Sequence, residues 1–257
     1  VAGGAGQDVL LGQGGNDSLS GGEALDNLLG GDGNDTLDGG GAGDNLLGEA
    51  GDDDIGAGDG NDVLNGGPGS DRLWGGEGDD VFVWVAGDGR DAEIEGGGGY
   101  DQILVTPDAS RVFDGLPSWF PAWYGIEAIN STSGPFEIRG TAGDENWDFS
   151  GIVSNATTIT GAGGNDRITA TAASETIRVG DGNDTIAAGA GNDSVWGGGG
   201  NDALLGGDGN DNLYGQLGRD TIEGGGGADE IIGAEDADTC RGGADHDWIV
   251  GGPGRAL

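Results

Sequence analysis

A period of nine residues governs this chain. Starting at Gly3, the sequence divides into nine consecutive nonapeptides ending at Val83, each written G-G-x-G-x-D-x-U-x with U a large apolar residue. The sixth position reads Asp8, Asp17, Asp26, Asp35, Asp44, Asp53, Asp62, Asp71 and Asp80. The eighth reads Leu10, Leu19, Leu28, Leu37, Leu46, Ile55, Leu64, Leu73 and Phe82. A fixed period of this kind marks a repeat architecture in which each copy packs on its neighbours. Six residues dominated by glycine reach positive φ angles and close backbone approaches, and so predict a tight turn. The other three, with one central apolar side chain, predict a short strand whose middle residue points inward. A strand of three cannot stand alone, but stacked copies make a continuous core.

The pattern continues after an irregular unit that carries Asp91 and Ile94. One more repeat occupies residues 96–104, with Asp101 and Ile103, and a second array of ten units fills residues 161–250. Its sixth column is Asp166, Glu175, Asp184, Asp193, Asp202, Asp211, Asp220, Asp229, Asp238 and Asp247. Its eighth column is Ile168, Ile177, Ile186, Val195, Leu204, Leu213, Ile222, Ile231, Cys240 and Ile249. The unit Ala170–Arg178 has lost its glycines and carries Glu for Asp, which predicts a weak or absent metal site there.

Composition decides what such a chain needs in order to fold. Glycine supplies 64 of 257 residues, and 47 acidic residues stand against nine Arg and no Lys, for a net charge of −38. High charge with few large hydrophobes reads as disorder unless a repeat fold and a neutralising ligand intervene. The charge excludes nucleic acid as a natural partner and disfavours an anionic membrane surface. No apolar run reaches the roughly 18 residues that a membrane helix needs. The single Cys makes no internal disulfide. The N-terminal Val-Ala-Gly-Gly has neither a charged n-region nor an apolar h-region, as expected of a mature chain or of a fragment.

The turns expose carbonyl oxygens and present one carboxylate each at a fixed spacing, which is the donor set of an oxygen cage for a hard cation. Calcium takes six to eight oxygen ligands in flexible geometry, whereas magnesium keeps its water. No other common metal suits an all-oxygen site without His or Cys. On these motifs the chain resembles the repeats-in-toxin (RTX) calcium-binding proteins, and the resemblance covers both arrays.

That resemblance implies an all-β fold, a right-handed parallel β-roll or β-solenoid with two nonapeptides per coil. It implies calcium between turns of successive coils on the same side, held by Asp carboxylates and backbone carbonyls. The stacked pairs are then Asp8 with Asp26, Asp17 with Asp35, and so on, with Asp91 and Asp101 continuing the first array. About fifteen ions result at the coordination expected of calcium, close to offsetting the charge. Folding is expected to be coupled to the metal. Extracellular calcium modules bind at about 10⁻⁴ to 10⁻³ M, so such sites are empty in a bacterial cytoplasm and full outside. A secreted or cell-surface bacterial protein is the expectation.

Three regions follow: a first array over 1–104, an irregular Pro- and aromatic-rich insertion over 105–139, and a second array over 140–257. The insertion holds Pro107, Pro117, Pro121 and Pro135 with Phe113, Trp119, Phe120, Trp123, Tyr124 and Phe136. It reads as a bridge or cap between two rolls, as an aromatic recognition surface, or as a small subdomain. Residues 115–125 read as an aromatic loop or short helix. Repeat-like sequence resumes at Gly140–Asp148, with Trp147 inward, and Ile159 lies in register with the second array. At position nine, one side of each array is apolar: Leu11, Leu29, Leu47 and Val83, then Trp196, Tyr214, Ile232 and Val250. Such a stripe is either covered by other segments or mediates association with another copy or a surface component.

Catalytic chemistry has no foothold in this pattern, and no enzyme is expected. His246 sits at a turn beside Asp245 and Asp247, and Cys240 occupies an inward column as a small apolar residue. No nucleophile elbow comes with a His partner, and no phosphate loop is present. Regular Thr ladders for ice and a basic groove for anionic polysaccharide are both missing. Two roles are left: a structural or adhesive component of a surface, matrix or filament, or the calcium-folded tail of a larger secreted enzyme or toxin.

Overall fold

A computed structural model describes residues 1–85, 88, 91, 93–106, 125–131, 134–154 and 156–252, with the backbone of 112–113 and 119–120. Most of the aromatic stretch 115–124 lies outside the described residues. Every regular element among those described is a β-strand, and the sheets are parallel, forming a β-solenoid. The chain divides into two compact units, Val1–Pro117 with Trp123–Gly134, and Ser118–Ala122 with Pro135–Leu257.

In the first unit, one sheet is built from Ala2–Gly4, Ser18–Gly22, Thr36–Gly41, Asp54–Asp59, Arg72–Glu77 and Glu93–Gly98. The other runs through Val9–Gly14, Asn27–Asp32, Asn45–Ala50, Val63–Asn65, Val81–Val85, Gln102–Thr106 and Ala128–Ser131. Odd and even repeats therefore go to different sheets, and each strand pairs with the one two repeats on, as Leu28 with Leu46 and Leu37 with Ile55. The apolar columns of the two sheets form the core, with Leu28, Leu46, Ile55 and Leu64 fully buried. The second unit repeats the plan. Trp147 pairs with Ile168 and Ile159 with Ile177, and all four are buried.

The strands are longer than the repeat unit suggests. Asn27–Asp32 and Ser194–Gly199 each span six residues, so the first three positions of the next nonapeptide continue the ladder. Glycine makes this possible. Gly40 and Gly58 hold φ of +111° and +113° while staying in register with each other. A Cβ on either would run into the main chain of the preceding coil. Where a side chain does occupy these turn positions, as at Gln13, Glu49 and Gln216, φ settles at 74–81°, in or near the left-handed region that L-residues tolerate at a cost. The turn proper shrinks to positions four to six.

The ends of the irregular segment also enter the sheets. Ala128–Ser131 pairs with Gln102–Val105, and Phe136–Arg139 with Ala156–Thr160. Cys240 points inward but is only half-buried, because its strand Thr239–Ala244 is the outermost of its sheet. His246 is exposed on its turn.

Candidate metal centre

The sixth-position aspartates form two rows along each unit. In the first unit one row runs Asp8, Asp26, Asp44, Asp62, Asp80, Asp101, and the other Asp17, Asp35, Asp53, Asp71, Asp91. In the second unit the rows run through Asp166, Asp184, Asp202, Asp220, Asp238 and through Asp193, Asp211, Asp229, Asp247. Those from Asp26 to Asp229 are buried, whereas Asp8, Asp17, Asp238 and Asp247 are half-buried.

Two kinds of hydrogen bond hold each row. The main-chain N–H of one Asp donates to Oδ1 of the next, as Asp26 to Asp44 at 2.8 Å, Asp44 to Asp62 at 2.6 Å and Asp193 to Asp211 at 2.8 Å. The carbonyl of the same Asp accepts from position seven of the next coil, as Asn45 N–H to Asp26 at 3.0 Å. Asp80 meets Asp101 across 21 residues at 2.8 Å, so the irregular unit is absorbed without breaking the row. Asp91 takes the following place beside Asp71, its carboxylate accepting the Asp71 main-chain N–H.

The second carboxylate oxygen is left over. Oδ2 of every Asp from Asp17 to Asp80 in these rows, and of Asp101, Asp166 and Asp184 through Asp238, is buried without a hydrogen-bond partner. It lies over the first glycine of its own repeat, where the carbonyl of the next coil also arrives. A Cβ on Gly21 would meet Asp26 Oδ2 at 2.5 Å and Gly39 O at 2.7 Å. Ala57, Val179 and Ala188 do carry a side chain at that position, and Asp62, Asp184 and Asp193 still keep an unpartnered Oδ2. A buried carboxylate oxygen beside a carbonyl oxygen, with no donor between them, is unfavourable unless a cation joins them. The donor set is all oxygen, as calcium requires.

The electrostatics agree. Burial first, then the charge of neighbouring carboxylates, raises Asp44 to about 6, and Asp80 and Asp166 to about 7, despite the main-chain donor that opposes the shift; beside Asp166 the first of these is Glu145. Asp91 is pushed up to about 8 by burial and by Asp71. The ion pairs among the described residues, Arg72–Asp54 at 3.0 Å and Arg139–Glu137 at 2.8 Å, leave the rows untouched. Among the described residues no three Asp, Glu, His or Cys converge on one point. The acids stand one per turn, and a cation there depends on main-chain carbonyls as well.

Three acidic residues at the ends of the rows add to this picture. Glu127 follows Asp101, accepting its N–H at 2.8 Å. Glu145 precedes Asp166, and Glu175 precedes Asp193. Among the described residues each of the latter two is the first acid of its row, with no Asp N–H before it, and a threonine at position two supplies a donor: Thr141 Oγ1 to Glu145, and Thr171 Oγ1 to Glu175. The repeat spacing marks Glu175 and, in hindsight, Glu145, but nothing local marks Glu127. The fifth position also does more than its x suggests. Asn165, Asn183 and Asn201 each accept the next coil's N–H at 2.9 Å, and Asn16 and Asn34 form the same ladder.

On the outer surface, Leu11, Leu29 and Leu47 are cross-strand neighbours, and Val83 accepts a hydrogen bond from Asn65 at 2.6 Å in the same row. Trp196, Tyr214, Ile232 and Val250 align likewise. The Trp196 and Tyr214 rings stack at 5.3 Å, and the Arg178 guanidinium lies 4.5 Å from the Trp196 ring centre. Leu11 and Val250 are exposed and the others half-buried.

Fold and rows together define a parallel β-solenoid whose turns are lined with acids. The chain belongs to the family of RTX calcium-binding nonapeptide repeats, which matches residues 1–26, 20–55, 56–83, 154–184, 169–204, 205–240 and 241–255. Its repeats bind calcium, and the fold is a structural calcium-binding one. No curated protein matches the chain.

Proposed function

We propose that this chain is a calcium-folded structural roll of an exported bacterial protein, acting as a component of a cell surface, matrix or filament. The observation that carries this reading is the repeated buried Oδ2, unpartnered beside a turn carbonyl. Each ion sits between an aspartate and its neighbour one coil on, which gives about fifteen ions at calcium's usual coordination. Glu175, in the unit that has lost its glycines and carries Glu for Asp, makes the weakest seat, although its Oε2 too is buried without a hydrogen-bond partner. Unbound, the rows hold like charges about one strand spacing, roughly 4.8 Å, apart. Calcium binding energy therefore becomes folding energy. The outer stripe of each array, Leu29 and Leu47 in the first and Trp196, Tyr214 and Ile232 in the second, is a surface for self-association. Among the described residues no helix is long and apolar enough to cross a membrane.

Sedimentation velocity tests this reading. In millimolar calcium the chain should sediment as a compact species with larger assemblies, and in chelator as a slow, expanded monomer. Compaction without assemblies would favour the second role, a calcium-folded module of a larger secreted enzyme or toxin. Identical profiles in both conditions would contradict calcium-coupled folding.

A further inference from the structure

Between residues 83 and 154 the family repeats do not match, yet the row of acids continues there. We propose that the non-repeat segment 125–131 completes a calcium seat of its own, with Asp101 and Glu127 as its carboxylates and Gly125 as a carbonyl donor. This rests on the reading that the aspartate rows hold calcium. It adds a seat that the nonapeptide pattern does not assign, and gives the non-repeat segment a metal tether.

Asp101 is fully buried, and its Oδ2 has no partner. That oxygen and the carbonyl of Gly125 converge above the Cα of Gly96, so a Cβ there would run into both. In the regular coils the corresponding carbonyl comes from the first residue of the nonapeptide one coil on, as Gly39 O over Gly21. Here it comes from Gly125, whose φ of +71° turns the chain at that point. Glu127 stands where the next aspartate would. Its Oε2 accepts the Asp101 N–H at 2.8 Å, and the N–H groups of Glu127 and Ala128 return to the Asp101 carbonyl at 2.9 and 3.2 Å. The segment joins the row 26 residues on rather than 18, and the extra methylene of Glu restores the reach of the carboxylate. Neither acid belongs to an ion pair among the described residues.

Hydrogen exchange of the whole chain across a calcium titration tests the proposal. In the unaltered protein, peptides covering 125–131 and 27–59 should become protected over the same calcium range. Glu127→Gln keeps the oxygen that accepts the Asp101 N–H but removes the charge. It should move the 125–131 midpoint to about tenfold higher calcium, since ligand charge sets affinity in such sites, and leave 27–59 in place. Glu95→Gln, an exposed change on a strand of the other sheet, should move neither. An unchanged 125–131 midpoint in Glu127→Gln would overturn the seat. Absence of calcium-dependent protection anywhere in the unaltered protein would instead overturn the reading of the rows.

Discussion

Replacing Asp44 with Asn separates the two roles of a row carboxylate. Asp44 Oδ1 accepts the Asp26 N–H at 2.8 Å, and its own N–H donates to Asp62 at 2.6 Å. Asparagine keeps an oxygen for the first bond and the main chain for the second. What it loses is the charge of the unpartnered Oδ2, which lies beside the Ala57 carbonyl over Gly39. Without calcium that charge is a liability, because burial and the charges of Asp62, Asp26 and Asp38 raise its pKa to about 6. In chelator the variant should therefore keep at least as much strand signal in circular dichroism as the unaltered chain. With calcium the balance reverses. Asp44 serves the seats shared with Asp26 and with Asp62, and a site filled at a hundred times its dissociation constant contributes about 2.7 kcal/mol. Losing both removes about 5 kcal/mol, read from urea unfolding in millimolar calcium. An equal loss of stability in chelator and in calcium would refute the argument, since Asp44 would then be a packing group and no ligand.

Acid should stabilise the metal-free chain. The row carboxylates have folded values raised from 3.8 to about 6 for Asp44 and Asp193 and to about 7 for Asp80 and Asp166, so the folded state binds more protons and loses stability as pH rises through that window. Circular dichroism in chelator should show strand content falling between about pH 4 and pH 7, and a rise over that range would contradict the burial of these acids. At the turns, Gly58→Ala should cost about 1–3 kcal/mol through its positive φ, while Gly56→Ala, with nothing within 4 Å of its Cβ, should stay within about 0.5 kcal/mol of zero; equal effects in thermal melts would refute the turn geometry. Serine at Leu29, Leu47, Trp196 and Tyr214 together should abolish any calcium-dependent assembly in sedimentation, and unchanged assembly would remove the outer stripe from the account.

The sequence makes the architecture legible because the period alone aligns residues 18 apart. Leu28, Leu46 and Leu64 had to share one column, and Asp26, Asp44 and Asp62 another, once two nonapeptides made a coil. It does not show how far the strands run. Glycine is a turn residue by propensity, yet Gly40 and Gly58 continue the ladder at positive φ because parallel neighbours supply the pairing that propensity leaves out. The ladder of Asn165, Asn183 and Asn201 was equally visible as a column, but its role depends on the N–H of the next coil, which only tertiary stacking brings within reach. Glu127 was hidden for a further reason. It reaches Asp101 from outside the period, 26 residues away, after a segment with no glycine-rich turn to announce it.

Counting bound calcium tests the central claim most directly. Equilibrium dialysis of the chain at millimolar free calcium, followed by metal analysis, should give about fifteen ions per molecule from the stacked pairs of the two regular arrays, with calcium's usual oxygen coordination, and about four more from the pairs that Asp91, Asp101, Glu127 and Glu145 add. A count of one or two ions, with the chain folded, would mean that the buried aspartate rows are held by something other than calcium.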